Sequence, residues 1–160
     1  MKKTAILGFG NPVRSDDGVG CLVIEELQKR LGNTIPNISL IDMGTSAFEV
    51  LFQLRGHERI ILLDAVLNTG EPDGTLYRLP ADAVEAAVQD DPMVFLHSLK
   101  WDQALSYAKK ILGPEYPDDI SVYLIAVTNT RLDVGISETV QEAGLKVTDL
   151  ILEELGLIAV

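Results

Sequence analysis

One cysteine in 160 residues, Cys21, rules out an internal disulfide. Its place in an apolar helical stripe marks it as a packing residue rather than a nucleophile. Aromatic residues make up 6% of the chain against 47% hydrophobic residues overall, which points to an aliphatic α/β core rather than an all-β sandwich. Basic residues are scarce: 13 Lys and Arg face 24 Asp and Glu, for a formal net charge of −11. Such a surface repels nucleic-acid phosphates and anionic lipid, and its plain consequence is solubility. No apolar run approaches the ~20 residues of a membrane-spanning helix. Met-Lys-Lys leads straight into a strand, with no small-residue cleavage site of a secretory leader, so the expectation is a cytoplasmic protein, and a monomer is the simplest oligomeric state. A Gly-x-Ser-x-Gly elbow and a Walker loop are missing too, which argues against a serine hydrolase and a P-loop nucleotidase.

What is present is an alternation of strand and helix over a single domain, 1–160, with no repeat, linker or low-complexity tract. Thr4 to Leu7 predicts a strand. A helix follows from about Asp17 to Leu31, with Val23, Ile24, Leu27 and Leu31 inward and Gly32 as its terminator. Ile38 to Met43 reads as a second strand, and Ser46 with Glu49 has capping-box spacing for a helix carrying Val50, Leu51 and Leu54. Arg59 to Ala65 contains four consecutive apolar residues, as in the centre of a parallel sheet. Thr75 to Leu79 alternates and belongs at an edge, in antiparallel pairing. A short helix is expected over Ala81 to Val88, an irregular stretch from Met93 to Ser98, then a helix from about Leu99 to Leu112 with Leu105, Ala108, Ile111 and Leu112 inward. Ile120 to Ala126 is the last central strand. Ser137 caps a final helix whose stripe is Val140, Val147, Ile151 and Leu155.

Chemistry collects where open α/β sheets place their sites, beyond the carboxyl ends of the strands. The stretch from Gly8 to Gly20 reads G-F-G-N-P-V-R-S-D-D-G-V-G, a strand, a glycine loop and a helix start. Asp16 and Asp17 stand where a nucleotide-binding loop keeps neutral or basic groups, so a phosphate is repelled there and a cation or a water needing activation is favoured. Helix capping explains one aspartate, and the pair exceeds what capping needs. Asp64 ends the most apolar strand, where a carboxylate is costly unless it is paired or faces a polar cleft. His97 precedes a helix and is one of two histidines. The other, His57, lies in a polar turn and reads as surface. Two carboxylates and one imidazole form a coherent shell for a divalent transition metal with positions left open, while capping, a loop hydrogen bond and a plain helix start are the structural alternatives. Asp42 ends the second strand at the place of a ribose-binding acid, yet the third glycine of dinucleotide spacing is missing.

These residues resemble a known family. The segment from Gly8 to Gly20 is similar to the signature of the [NiFe]-hydrogenase maturation proteases, Gly-x-Gly-Asn-x-x-x-x-Asp-(Asp or Glu)-Gly-x-Gly. The turn at Gly44 and Thr45 resembles the family's Asp-x-Gly-Thr, the strand ending in Asp64 and Ala65 resembles its third-strand motif, and His97 resembles its histidine. The resemblance implies a three-layer α/β/α sandwich around a twisted, mostly parallel five-stranded sheet. It implies an endopeptidase that removes the C-terminal extension of a hydrogenase large-subunit precursor once nickel is in place. The metal-contacting groups it implies are Asp17, Asp64 and His97, with nickel supplied by or shared with the precursor. Asp17 stands where relatives carry Glu or Asp. Asp17, Asp64 and Asp16 are the carboxylates available to activate water, with helix capping as the alternative role for Asp16. Gly44, Thr45 and Asn11 are expected to shape the cleft for the precursor's end.

Two other readings stay open at this level. The start Gly8 to Pro12 also resembles a peptidyl-tRNA hydrolase, but that family places a histidine where this chain has Ser15-Asp-Asp17, and RNA needs basic surface. A non-catalytic hydrogenase assembly chaperone would keep the metal shell and the precursor but cut nothing.

Overall fold

A computed structural model of the chain describes residues 2–32, 35–46, 49–80 and 101–158. The expected helix at Ala81 to Val88, the stretch from Met93 to Ser98, and His97 with it, lie outside those residues. Five strands form one sheet: β1 (Thr4–Phe9), β2 (Ile38–Gly44), β3 (Arg59–Val66), β4 (Leu76–Pro80) and β5 (Asp119–Ala126). Their order is β2-β1-β3-β5-β4. β1 pairs in parallel with β2 and β3, and β3 pairs in parallel with β5. β4 closes the edge antiparallel to β5, as its alternation predicts.

The period of two along each strand sorts the side chains into two cores. Ala5, Leu7, Phe9, Ile60, Leu62, Val66, Val122 and Leu124 face α2 (Val50–Leu54) and α3 (Trp101–Leu112). Ile6, Ile61, Leu63, Ala65, Tyr123 and Ile125 face α1 (Val19–Leu31) and α4 (Glu138–Glu154). The result is the expected three-layer sandwich. The same parity puts Asp64 in phase with Ile60, Leu62 and Val66, on the α3 side of the sheet.

Several local expectations need correction. The first helix begins at Val19 rather than Asp17, because Ser15–Gly18 forms a 3-10 turn in which the Asp17 amide donates to the Arg14 carbonyl at 3.1 Å. Gly32 does end it, at φ 74°, with its amide on Gln28. Ile111 is 64% exposed rather than inward. The buried positions of α3 are Trp101, Ala104, Leu105, Ala108 and Leu112, and at 3.6 residues per turn Ile111 falls about 80° from the centre of that stripe, beyond its Ala104 edge. Ser137 sits at the N-cap of α4 and its carbonyl accepts the Gln141 amide at 2.9 Å, but its hydroxyl makes no cap bond because it donates to Asp16 instead. Glu49, not Ser46, occupies the N-cap of α2, and no side-chain cap bond forms there.

Candidate functional site

β1 runs to β2 on one side of the sheet and the chain returns to β3 on the other, so the strand order reverses between β1 and β3. Ligand crevices open at such a reversal. The glycine loop leaves β1 there, and Asp64 lies near the end of β3.

Close packing explains the glycine spacing. A Cβ on Gly10 would lie 2.1 Å from the Asp17 carbonyl oxygen, and one on Gly20 would lie 2.2 Å from that of Phe9. Gly8 would meet Ile24 at 2.5 Å and the Gly20 oxygen at 2.6 Å. The loop therefore lies directly on the start of α1, and any larger residue would push it away. Gly10 also donates its amide to the Gly44 carbonyl at 2.9 Å, which joins the two expected cleft turns. Thr45 is exposed beside that turn.

Asp17 is half-buried, and its Oδ2 accepts the Asn11 amide at 2.9 Å. Its Oδ1 accepts no hydrogen bond from the described residues and stays available. The Asn11 side-chain oxygen accepts the Val13 amide at 3.1 Å, so that group shapes its own turn. Asp16 is only 1% exposed. Its two oxygens accept the Ser137 amide at 2.7 Å and the Ser137 hydroxyl at 3.0 Å. Asp16 thus ties the loop to the start of α4, and both of its oxygens are occupied.

Asp64 is held from two sides. Ala65 donates its amide to Oδ1 at 2.8 Å, and the Trp101 indole donates to Oδ2 at 2.9 Å. Burial pushes the Asp64 carboxyl up to about 8; the Trp101 bond opposes this, the negative charge of Asp17 adds to it, and the Ala65 bond opposes it again. The field of Asp17 is felt at Asp64, so the two carboxylates share one electrostatic neighbourhood. Each Asp64 oxygen retains acceptor capacity beyond its single bond. A cation between the two groups would relieve their repulsion, and oxygen donors suit a divalent ion. Among the described residues no group of three His, Cys, Asp or Glu side chains could hold a metal.

The remaining polar groups have structural duties. Cys21 donates its thiol to Asp42 Oδ1 at 3.2 Å, and the Gly44 amide bonds the same oxygen at 2.9 Å. Burial, followed by the bond and charge of Asp42 and by Glu25 and Asp17, pushes the thiol up to about 12, which leaves it protonated and unreactive at neutral pH. Asp42, the acid at a ribose position, is committed to its own turn. His57 is half-buried rather than surface, and its Nδ1 donates to the Gln53 carbonyl at 2.7 Å at the end of α2.

Sequence reasoning missed Trp101 as the partner of Asp64. Its signal was a lone tryptophan opening an amphipathic helix, where a buried indole N–H needs an acceptor. It also missed the segment from Thr128 to Ile136, which clasps the glycine loop. The Asp16 amide donates to Asn129 at 3.1 Å, the Ser15 amide to Asp133 at 2.9 Å, and the Ser15 hydroxyl to the Arg131 carbonyl at 2.9 Å.

A family model described as hydrogenase maturation protease matches residues 21–154. A hydrogenase 2 maturation protease of Escherichia coli is 25% identical over 159 residues, covering 97% of this chain and 93% of the relative. A hydrogenase expression/formation protein HupD of Thiocapsa roseopersicina is 31% identical over 128 residues, covering 80% of this chain but 55% of its own length, so the chain spans about half of that relative. The hydrogenase maturating endopeptidase HybD of Escherichia coli superimposes with a TM-score of 0.79 at 20% identity, over 96% of this chain and 92% of that one, a likeness of fold. A [NiFe] hydrogenase maturation protease HycI of Thermococcus kodakarensis superimposes with a TM-score of 0.70 at 26% identity, over 97% and 93% of the two chains.

Proposed function

The chain belongs to the hydrogenase maturation protease family, and on that premise we propose that it removes the C-terminal extension of a nickel-loaded hydrogenase large-subunit precursor in the cytoplasm. The observation that carries this reading is the paired arrangement of Asp17 and Asp64 at the strand-order reversal, one oxygen of Asp17 left free and Asp64 clamped by Trp101 and Ala65. Nickel here belongs to the substrate. Asp17, Asp64 and His97 would add hard and borderline donors to a nickel already held by the precursor, so the enzyme docks only where the metal has been inserted. The cut needs a water made more nucleophilic beside the scissile carbonyl. A carboxylate within reach takes its proton as the water oxygen bonds the carbonyl carbon, and passes that proton to the amine released as the C–N bond breaks. Asp17, whose Oδ1 accepts no hydrogen bond from the described residues, suits that task better than Asp16, whose oxygens are both occupied. Gly44, Thr45 and the Asn11 turn form the adjoining wall of the cleft.

The test mixes the protein with the large-subunit precursor from the same source, loaded with nickel or free of it, and follows mass. The expected result is loss of a short C-terminal peptide from the loaded precursor alone. Asp17→Asn and His97→Ala should slow it by about 10²-fold or more. Equal cutting of metal-free precursor would sink the metal checkpoint. Binding without any product would move the protein to the assembly-chaperone reading.

A further inference from the structure

The segment that clasps the glycine loop carries an unusual surface. Val13 is 46% exposed, Leu132 74% and Val134 78%. Val13 and the 132–134 stretch are joined in a short ladder: the Asp133 amide donates to the Val13 carbonyl at 2.9 Å, and Arg14 and Asp133 form a parallel bridge. The three apolar side chains therefore belong to one small two-stranded lip. Beside it Thr128, Asn129, Thr130 and Arg131 line an open depression of about 530 Å³.

The arginines at this lip differ from the other arginines in their pairing. Of the six arginines, Arg30, Arg55, Arg59 and Arg78 each form an ion pair with a carboxylate. Arg14 and Arg131 form none among the described residues. Arg14 reaches only the Thr130 carbonyl, at 3.5 Å. The nearby Asp133 turns one carboxylate oxygen onto the Val134 amide at 2.8 Å, and Asp16 is buried against Ser137. On a chain of net charge −11, two guanidiniums without an ion pair among the described residues, against the one carboxylate of Asp133 in the same lip, leave a local excess of positive charge that suits an anion. The Arg14 segment continues directly into the candidate site, where the Asp17 amide donates to the Arg14 carbonyl and Asp17 accepts the Asn11 amide, and the Arg131 segment is bonded to it through Ser15 and Asp16.

We propose that this lip, Val13, Leu132 and Val134 with Arg14 and Arg131, holds the departing C-terminal extension of the precursor: apolar side chains against the lip, and the free α-carboxylate against the arginines. The proposal rests on the protease reading above. A C-terminal extension always ends in a carboxylate, which a chain of net charge −11 disfavours over most of its surface and which a pair of guanidiniums without ion-pair partners attracts. The lip would act as a ruler, favouring precursors whose terminal carboxylate lies within its reach.

The experiment titrates nickel-loaded precursor against the wild type, Arg14→Gln/Arg131→Gln and Leu132→Ser/Val134→Ser, with Arg55→Gln as a surface control. A precursor lacking the extension serves as a second ligand, and thermal melts check folding. Both double variants should raise Kd and KM at least tenfold with kcat within twofold, and Arg55→Gln should change neither. The arginine effect should shrink at high salt and vanish for the shortened precursor. Wild-type Kd values in the double variants, or an equal loss with the shortened precursor, would overturn the proposal. Failure of the wild type to cut would instead overturn the protease reading, while the titration still decides whether the extension binds the lip.

Discussion

Trp101 does for Asp64 what no neighbour in sequence does. A carboxyl near the end of an apolar strand can rotate, and only a second donor across the layer sets its oxygens in one orientation. Ala65 supplies one bond from the adjacent amide, and the indole, 37 positions away, supplies the other. Trp101 also stacks against Phe9, with ring centroids 6.2 Å apart. Trp101→Phe keeps the stacking and deletes the donor, so it separates the two contributions. It should cost about 1–3 kcal/mol in urea unfolding, the range for a lost bond to a buried acceptor. Precursor cleavage should fall about tenfold under conditions where the variant is fully folded. Unchanged unfolding and cleavage would show that the indole does not position Asp64. Asp16 shows the converse case, since two adjacent aspartates at a helix start look equivalent in the sequence while Ser137 takes one and leaves the other to the cleft.

At the level of elements, the glycine loop is a packing device before it is a chemical one. β1 and α1 approach so closely that backbone carbonyls occupy the volume where side chains would begin. Gly20→Ala would set a Cβ 2.2 Å from the Phe9 oxygen and 3.1 Å from that of Leu63, backbone atoms that cannot rotate aside. The expected loss is about 3 kcal/mol. Gly144→Ala in α4 is the control. Its Cβ would meet the flexible Leu22 side chain at 3.0 Å, and the gain in helix propensity offsets the crowding to within about 1 kcal/mol. Urea midpoints of the two variants measure the contrast, and equal losses would mean that the loop relaxes easily. The clasp by residues 128–136 belongs to this scale as well, because it couples the site loop to the entry of α4 through Ser15, Asp16 and Ser137.

Across the whole molecule, the two ends of the sheet differ in how their charged groups are paired. At the carboxyl end Arg14 and Arg131 form no ion pair, and one oxygen of Asp17 accepts no hydrogen bond, among the described residues. At the amino end Asp119 binds Arg59 at 2.9 Å and Lys2 at 3.2 Å. Burial alone would raise the Asp119 carboxyl, but the bonds and charges of Arg59 and Lys2 outweigh it and hold it below the ordinary 3.8. A depressed carboxyl contributes stability above its unfolded value and loses it as the pH falls through its folded one. Asp119→Asn should therefore be less stable than wild type by under about 1 kcal/mol at pH 7, given the exposure of the pair, and the gap should close as the pH drops below 3.8. Thermal melts between pH 6 and 2 measure it, and a gap that persisted at pH 2 would point to packing instead. The match of the family model begins at residue 21, just past the glycine signature, so membership is carried by the rest of the chain and the loop stands as separate support. What the sequence by itself determined was local: the strand and helix periods, the antiparallel edge, the glycine spacing, and the placement of Asp17 and Asp64 near the ends of their strands, each written within a few consecutive residues. The tertiary structure decided which acids are spent and which are free. Ser137 lies 121 positions from Asp16 and Cys21 lies 21 from Asp42, and such partners meet only once the strands have paired in the order β2-β1-β3-β5-β4. Hydrogen-bond satisfaction depends on neighbours in space, which no local period encodes.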